Sequence, residues 1–295
     1  MKFAAIDIGS NAARLLISNV IEAKGKVAFK KESLLRVPLR LGDDAFALGR
    51  ITETKAEDLI ETMKAFRSLL RVQKPLDWMA CGTAALRGAE NGPALVEQIA
   101  QQAGLQVEII DGKREAEIIC TSPLEEKLDP ARSYLYIDVG GGSTEVTLMR
   151  QQQRVNANSF LIGTLRALHG QAITGEAERF RQWLQTYALP YQPLSAIGTG
   201  GNINTLHKLT GMKSSKPLTL DKIDEMLGML RTYSVDERVE VLGLRPDRAD
   251  VIVHATEIYR TAMIAAGTQE MFVPQIGLVD GIISLLYEKH RQKAI

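Results

Sequence analysis

Two carboxylates occupy the same kind of position in this chain. Asp7 closes the apolar run 3–6 and leads into Gly9, Ser10 and Asn11. Asp138 closes the run 134–137 and leads into Gly140, Gly141, Gly142, Ser143, Thr144 and Glu145. Acids and glycines are both poor strand residues, so their placement at strand ends calls for a chemical reason. Glycine has no β-carbon, which lets backbone N–H groups converge on an anion and tolerates positive φ. Ser10, Asn11, Ser143 and Thr144 add short side-chain donors. A third turn, Gly198-Thr199-Gly200-Gly201-Asn202, runs into a helical pattern whose N-terminus also favours negative charge. Three such turns point to phosphate. Carboxylates aimed at phosphate would repel it unless a cation lies between them. Mg²⁺ suits that place, because it is a hard ion that bridges one or two carboxylates to phosphate oxygens while keeping several waters. Asp7 and Asp138 are therefore the expected metal ligands, for Mg²⁺ or another divalent cation. The bland alternative is that each caps its own turn by accepting from the N–H groups that follow.

The elements that must place these residues follow from the pattern. Residues 3–17 read as strand, polar turn and second strand, with Arg14 opening the second. Another extended piece carries Arg36 and Arg40. Leu59, Met63, Phe66 and Leu70 form a helical stripe over 51–72, with Thr54 and Glu57 as a capping box at its start. Residues 77–104 read as strand, glycine turn and helices, and 105–120 as a strand that breaks at Asp111-Gly112 into a helix. The polar stretch 125–133, with Pro130, is the expected boundary. The pattern then restarts at Tyr134 with strand, glycine turn and strand, another strand near 156–163, the third turn and several helical patterns. A last strand and glycine turn lead into a helix ending near Glu288. Strands mixed with helices throughout give an α/β class, and the repeated hairpin implies two similarly folded halves facing a central cleft.

Bulk properties restrict the function. A chain of 295 residues can hold one large domain or two ordinary ones and needs no covalent staple. The 36 Lys and Arg nearly balance 35 Asp and Glu, so no global basic field announces nucleic acid. Two cysteines, Cys81 and Cys120, make no disulfide framework and fit a reducing cytoplasm. No apolar run has the length of a membrane span, and Asp7 interrupts the one candidate signal segment. A cytoplasmic protein with no membrane partner is expected. No P-loop sequence occurs, and the four histidines show no paired metal spacing, which assigns them structural roles.

On the three turns the chain resembles the actin/hexokinase superfamily. More narrowly it resembles the exopolyphosphatase/guanosine pentaphosphate phosphohydrolase (Ppx/GppA) family, and residues 37–52, 81–91, 109–119 and 248–259 are similar to family blocks in family order. The resemblance implies two ribonuclease-H-like (actin-like ATPase) domains, residues 1–122 plus about 279–295 and residues 123–278. It also implies a short form, since no His-Asp dipeptide marks the appended helical domain of longer members. The implied reaction is Mg²⁺-dependent hydrolysis of terminal phosphoanhydride bonds in polyphosphate or guanosine pentaphosphate. Glu115 falls on the family's catalytic glutamate, and Glu145 is implied as a second acid that orders water or metal. Arg87 matches a phosphate-holding arginine, whose planar fork suits phosphate oxygens. Implied phosphate contacts are Gly9, Ser10, Asn11, Arg14, Thr83, Arg87, Gly140, Gly141, Gly142, Ser143, Thr144, Gly200 and Gly201. Of Arg14, Arg36, Arg40 and Arg166, one or two are expected to touch substrate.

Three departures from the family pattern bear on the ligand. Arg114 precedes Glu115 where relatives often carry a second acid, which makes the entrance more basic. Asn202 and Asn204 replace a Thr-x-Arg-like pattern in the third turn, and Val279-Asp280 stands where many relatives carry a basic residue. The departures around Glu115 and Asn202 leave open a low-turnover protein that binds polyphosphate or guanosine penta- or tetraphosphate. An acceptor-dependent kinase of the superfamily is a third reading, and a homodimer is an option.

Overall fold

A computed structural model describes residues 1–23, 26–122, 128–129 and 131–293. Residues 125–127 and Pro130 of the expected boundary lie outside the described residues. The chain divides into two compact units, Met1–Pro123 with Leu278–Ile295, and Leu124–Gly277.

The first unit opens with β1 (Lys2–Ile8), β2 (Ala13–Ala23) and β3 (Lys26–Val37). Then come α1 (Leu41–Ala47), α2 (Glu53–Gln73), β4 (Asp77–Gly82), α3 (Ala84–Gly88), α4 (Gly92–Ala103), β5 (Glu108–Ile109) and α5 (Gly112–Cys120). The sheet order is β3-β2-β1-β4-β5, with β1 antiparallel to β2 and parallel to β4. Phe3, Ala4, Ala5 and Ile6 are all fully buried. A central strand covered on both faces reads as a continuous apolar run, which is why its pattern does not alternate. The long β3 lies at the sheet edge and is exposed along much of its length.

Helix α2 begins two residues before the expected capping box. Thr52 is its N-cap, while Thr54 lies inside the helix. The reason is Asp44, whose carboxylate accepts both the Thr52 amide (3.0 Å) and the Thr52 hydroxyl (2.5 Å) and pins the chain there.

The second unit contains β6 (Ser133–Val139), β7 (Thr144–Arg150), β8 (Gln153–Phe160), α6 (Thr164–Leu168), α7 (Glu176–Tyr187), β9 (Leu194–Thr199) and α8 (Gly201–Leu209). It continues with β10 (Leu218–Thr219), α9 (Leu220–Thr232), α10 (Val235–Glu240), α11 (Pro246–Ala249), α12 (Ile252–Ala266) and β11 (Glu270–Phe272). Its sheet runs β10-β11-β9-β6-β7-β8, so β8-β7-β6-β9 repeats the arrangement β3-β2-β1-β4. Leu135, Ile137, Val146 and Leu148 meet Phe180, Leu184, Tyr259 and Met263 in its core.

The chain then returns to the first unit as α13 (Leu278–Lys293), which continues past the expected end at Glu288. Leu278, Val279, Ile282, Ile283 and Leu286 pack with Phe3, Ala5, Ile118 and Ile119. At Gly281 the approach is so close that a β-carbon would overlap the Ile118 carbonyl. The Val279-Asp280 departure belongs to this packing, with Val279 in the core and Asp280 2.8 Å from Lys31 Nζ. Among the described residues no helix is long and apolar enough to cross a membrane.

Candidate functional site

In the first unit the turn is built from its carbonyls inward. The Gly9 amide donates to Ala12 O (3.2 Å) and closes the hairpin. Ser10 O accepts from the Gly42 amide (2.9 Å) and Asn11 O from the Arg40 amide (3.0 Å), so the chain entering α1 holds the turn from that side. Arg40 pays for this with a left-handed backbone (φ 50°, ψ 42°), an uncommon state for a residue with a β-carbon. Its guanidinium is engaged by Asp43 (Nε to Oδ2, 2.7 Å), and Lys55 donates to its carbonyl at 2.6 Å.

Strand register then fixes what faces Asp7. Its antiparallel partner on β2 is Arg14, and its parallel partner on β4 is Cys81. Arg14 Nη1 lies 2.5 Å from Asp7 Oδ2, and Asp7 is only 3 % exposed. Burial raises the Asp7 pKa above its ordinary value, and the Arg14 charge and hydrogen bond oppose that shift. Burial, followed by the charge of Asp7, pushes the Cys81 thiol up to about 12. Arg36 faces Arg14 across β2 and β3, which gives this sheet row the sequence Arg36, Arg14, Asp7, Cys81.

The second unit repeats the construction with different chemistry. The Gly140 amide donates to Ser143 O (2.9 Å). Gly140 O accepts from the Thr164 amide (3.0 Å), Gly141 O from Leu165 (2.9 Å) and Arg166 (3.2 Å), and Gly142 O from Arg166 Nε (2.8 Å). The carbonyl side of the turn is thus closed by α6. Among the described residues no backbone carbonyl pairs with the amides of Gly141, Gly142 or Ser143. The face left for a ligand is the amide face, which favours an anion. Thr144 is buried and its hydroxyl donates to Ile162 O (2.7 Å), so it holds the turn in shape.

Sequence reasoning missed Gly163, where a β-carbon would overlap the Gly141 carbonyl. Only a glycine lets α6 come this close. Its signal was a glycine directly before a short helical segment.

Asp138 faces Glu145 on β7 and Thr199 on β9, and Glu145 faces Ser159 on β8. Here the row reads Ser159, Glu145, Asp138, Thr199. A carboxylate oxygen of Asp138 lies within 4.8 Å of one of Glu145, and Glu145 is 2 % exposed. Ser159 Oγ donates to Glu145 Oε1 at 2.8 Å and aims that carboxylate. Two like charges so placed repel by roughly 3–4 kcal/mol at an effective dielectric near 20. A divalent cation between them turns that cost into attraction, and paired carboxylates are the ligands a hard ion prefers.

The third turn makes the room. Gly200 has φ 90°, and a β-carbon there would overlap Asp138 Oδ1. Gly201 begins α8. Asn202, one of the departures, is buried and accepts from Arg248 Nη1 at 2.7 Å.

Glu115 belongs to the first unit. Asp111 caps α5 by accepting from the Arg114 amide (2.7 Å), which puts Glu115 in the first turn, 8 % exposed. Arg87 Nη1 donates to Ile110 O (2.6 Å) and lies 3.5 Å from Glu115 Oε2, so one guanidinium ties the base of α5 to its glutamate. Thr83 is buried, and its amide donates to Ile8 O at 3.2 Å. Arg114, the basic departure, reaches Glu117 at 3.5 Å. The structure therefore gathers Asp138, Glu145, Gly140, Gly141, Gly142, Ser143, Gly200 and Gly201 within the second unit. It gathers Asp7, Gly9, Ser10, Asn11, Arg14, Thr83, Arg87 and Glu115 within the first.

Two α/β units with this strand order and these hairpins define the actin-like class. A crystal structure of an exopolyphosphatase from Cytophaga hutchinsonii superposes with a TM-score of 0.83, at 23 % identity and 98 % coverage of both chains. The family model of the Ppx/GppA phosphatase family matches residues 20–290, and the chain belongs to that family. Exopolyphosphatase 1 of Mycobacterium tuberculosis is 24 % identical over 96 % of this chain and 87 % of its own length. The guanosine-5'-triphosphate,3'-diphosphate pyrophosphatase of Aeromonas hydrophila is 25 % identical over 98 % of this chain and 60 % of its own.

Proposed function

We propose that this protein is a divalent-cation-dependent phosphoanhydride hydrolase. It releases the terminal phosphate of inorganic polyphosphate, of guanosine pentaphosphate, or of both, with Mg²⁺ as the cation. The observation that carries the reading is the facing pair Asp138 and Glu145 at the root of a turn whose ligand face is backbone amide. The names of the relatives supply the two substrates.

Asp138 and Glu145 would hold the cation, which when bound offsets the charge that develops on phosphate oxygens. Asp7 already carries the Arg14 guanidinium, so the second unit is the better cation holder. The amides of Gly141, Gly142 and Ser143 take phosphate oxygens and orient the terminal group for in-line attack. Glu115 accepts a proton from the attacking water. The water oxygen bonds to the terminal phosphorus as the bridging P–O bond breaks, and the electron pair leaves with the shortened chain. Arg87 keeps the Glu115 carboxylate in place.

The test is phosphate release from polyphosphates of several lengths and from guanosine pentaphosphate, with Mg²⁺ and with chelator. Replacing Glu115 by Gln should lower the rate by about 10²–10⁴-fold. Equal rates for the two proteins remove Glu115 from the chemistry. Tight binding in calorimetry with no release from any substrate replaces the hydrolase with a binding protein.

A further inference from the structure

Tyr259 lies on α12, far from the glycine turns in sequence, and is fully buried. Its hydroxyl donates to Thr199 O at 2.7 Å and accepts from the Val139 amide at 3.3 Å. Val139 is the last residue before the Gly140 turn, and Thr199 the last before the Gly200 turn. The parallel ladder between β6 and β9 ends at the pair Asp138 and Thr199. Beyond that rung the two chains diverge into separate turns, and the next amide and carbonyl would be left inside the protein without ladder partners. The phenol supplies the missing rung.

The first unit needs no such device, since there the ladder runs one pair further, to Ile8 and Gly82. A second bond from the same region, Arg248 Nη1 to Asn202 Oδ1, reaches the start of α8 from α11. Burial, and next the charge of Asp138, raise the phenol well above its ordinary value, so it keeps the proton it donates.

We infer that Tyr259 is a positioning residue that sets the separation of the Asp138–Gly140 turn from the Gly200 turn and thereby shapes the cation and phosphate site. This rests on the hydrolase reading above. Tyr259 does not itself touch substrate. Losing the hydroxyl strands a buried donor and a buried acceptor, while the ring keeps its packing. A geometric error at a phosphoryl-transfer site acts on turnover more than on capture of the substrate.

The experiment compares wild type with Tyr259→Phe, using Trp183→Phe as a core variant of the same unit away from the turns. Hydrogen exchange is followed at the Val139 amide and in peptides covering 136–144 and 194–202, and phosphate release is measured against Mg²⁺ and polyphosphate. In Tyr259→Phe, Val139 should exchange about 10-fold faster or more, with peptides of the first unit unchanged. Its kcat should fall about 10–100-fold with KM within about 3-fold. Trp183→Phe should lower Tm without either effect.

Unchanged Val139 exchange, wild-type kcat, or the same kcat loss in both variants overturns the inference. Should the wild type release no phosphate at all, the hydrolase reading fails, and Mg²⁺-induced protection of peptide 136–144 becomes the readout. Loss of that protection in Tyr259→Phe then supports the brace, and its retention refutes it.

Discussion

The two hairpins share a backbone and differ in charge. In both, an aspartate is the next-to-last residue of the first strand, a glycine turn follows, and the residue seven positions on faces the aspartate across the ladder. In the first unit that residue is Arg14; in the second it is Glu145. The flanking residues extend the contrast, with Arg36 and Cys81 on one side and Ser159 and Thr199 on the other. One row carries a net positive charge and the other two negative charges. A repeated fold thus carries two charge arrangements: one aspartate paired with an arginine, and one set beside a second carboxylate. Both turns are held by their carbonyls from a following short helix, so the divergence sits in side chains and not in the scaffold.

The sharpest way to break this comparison is to neutralise each aspartate. Asp138→Asn should cut phosphate release about 10²–10³-fold, several kcal/mol of lost transition-state stabilisation. In chelator its Tm should hold or rise, since a repulsion is relieved. Asp7→Asn should instead lower Tm by a few degrees, because it strands Arg14, whose partial exposure limits the loss to about 1–2 kcal/mol. The Tm rise that Mg²⁺ gives wild type should vanish in Glu145→Gln and survive in Asp7→Asn. Matching behaviour of the two aspartate variants would erase the distinction.

A smaller effect is expected from Gly163→Ala, which pushes α6 off the second turn. Tm should fall by a few degrees and activity by about 10-fold, as for a modest displacement of positioned groups. Wild-type activity in this variant would mean the turn does not depend on its carbonyl clamp. The smallest effect concerns the residues beside the aspartates. With its thiol pushed up to about 12, Cys81 holds almost no thiolate near neutrality. Mass spectrometry after iodoacetamide at pH 8 should find it unmodified in the folded protein and alkylated once unfolded.

The class of fold and the three turns were legible because they depend on local grammar: an acid and glycines at the end of an apolar run can be read without knowing what packs nearby. The facing residues were also within reach, since Asp7 to Arg14 and Asp138 to Glu145 have the same spacing and a hairpin register follows from its turn length. The capping box at Thr54 failed because a tertiary acceptor, Asp44, fixed Thr52 first. Tyr259, Arg248 and Gly163 could not be assigned for a related reason. A buried hydroxyl, a buried guanidinium and a missing β-carbon gain meaning only from the distant backbone they meet. Asn202, in sequence only a departure from the family pattern, is in the structure a partner for Arg248.

The return of α13 to the first unit has a consequence for the order of assembly. Leu278, Ile282, Ile283 and Leu286 complete the core that Phe3 and Ala5 begin. During synthesis those first strands emerge early, yet the helix that covers them is made after the whole of the second unit. The second unit, a continuous segment, can therefore close first, while the older half waits with an open apolar face. A released chain truncated after residue 277 should therefore carry a finished second unit and an unfinished first.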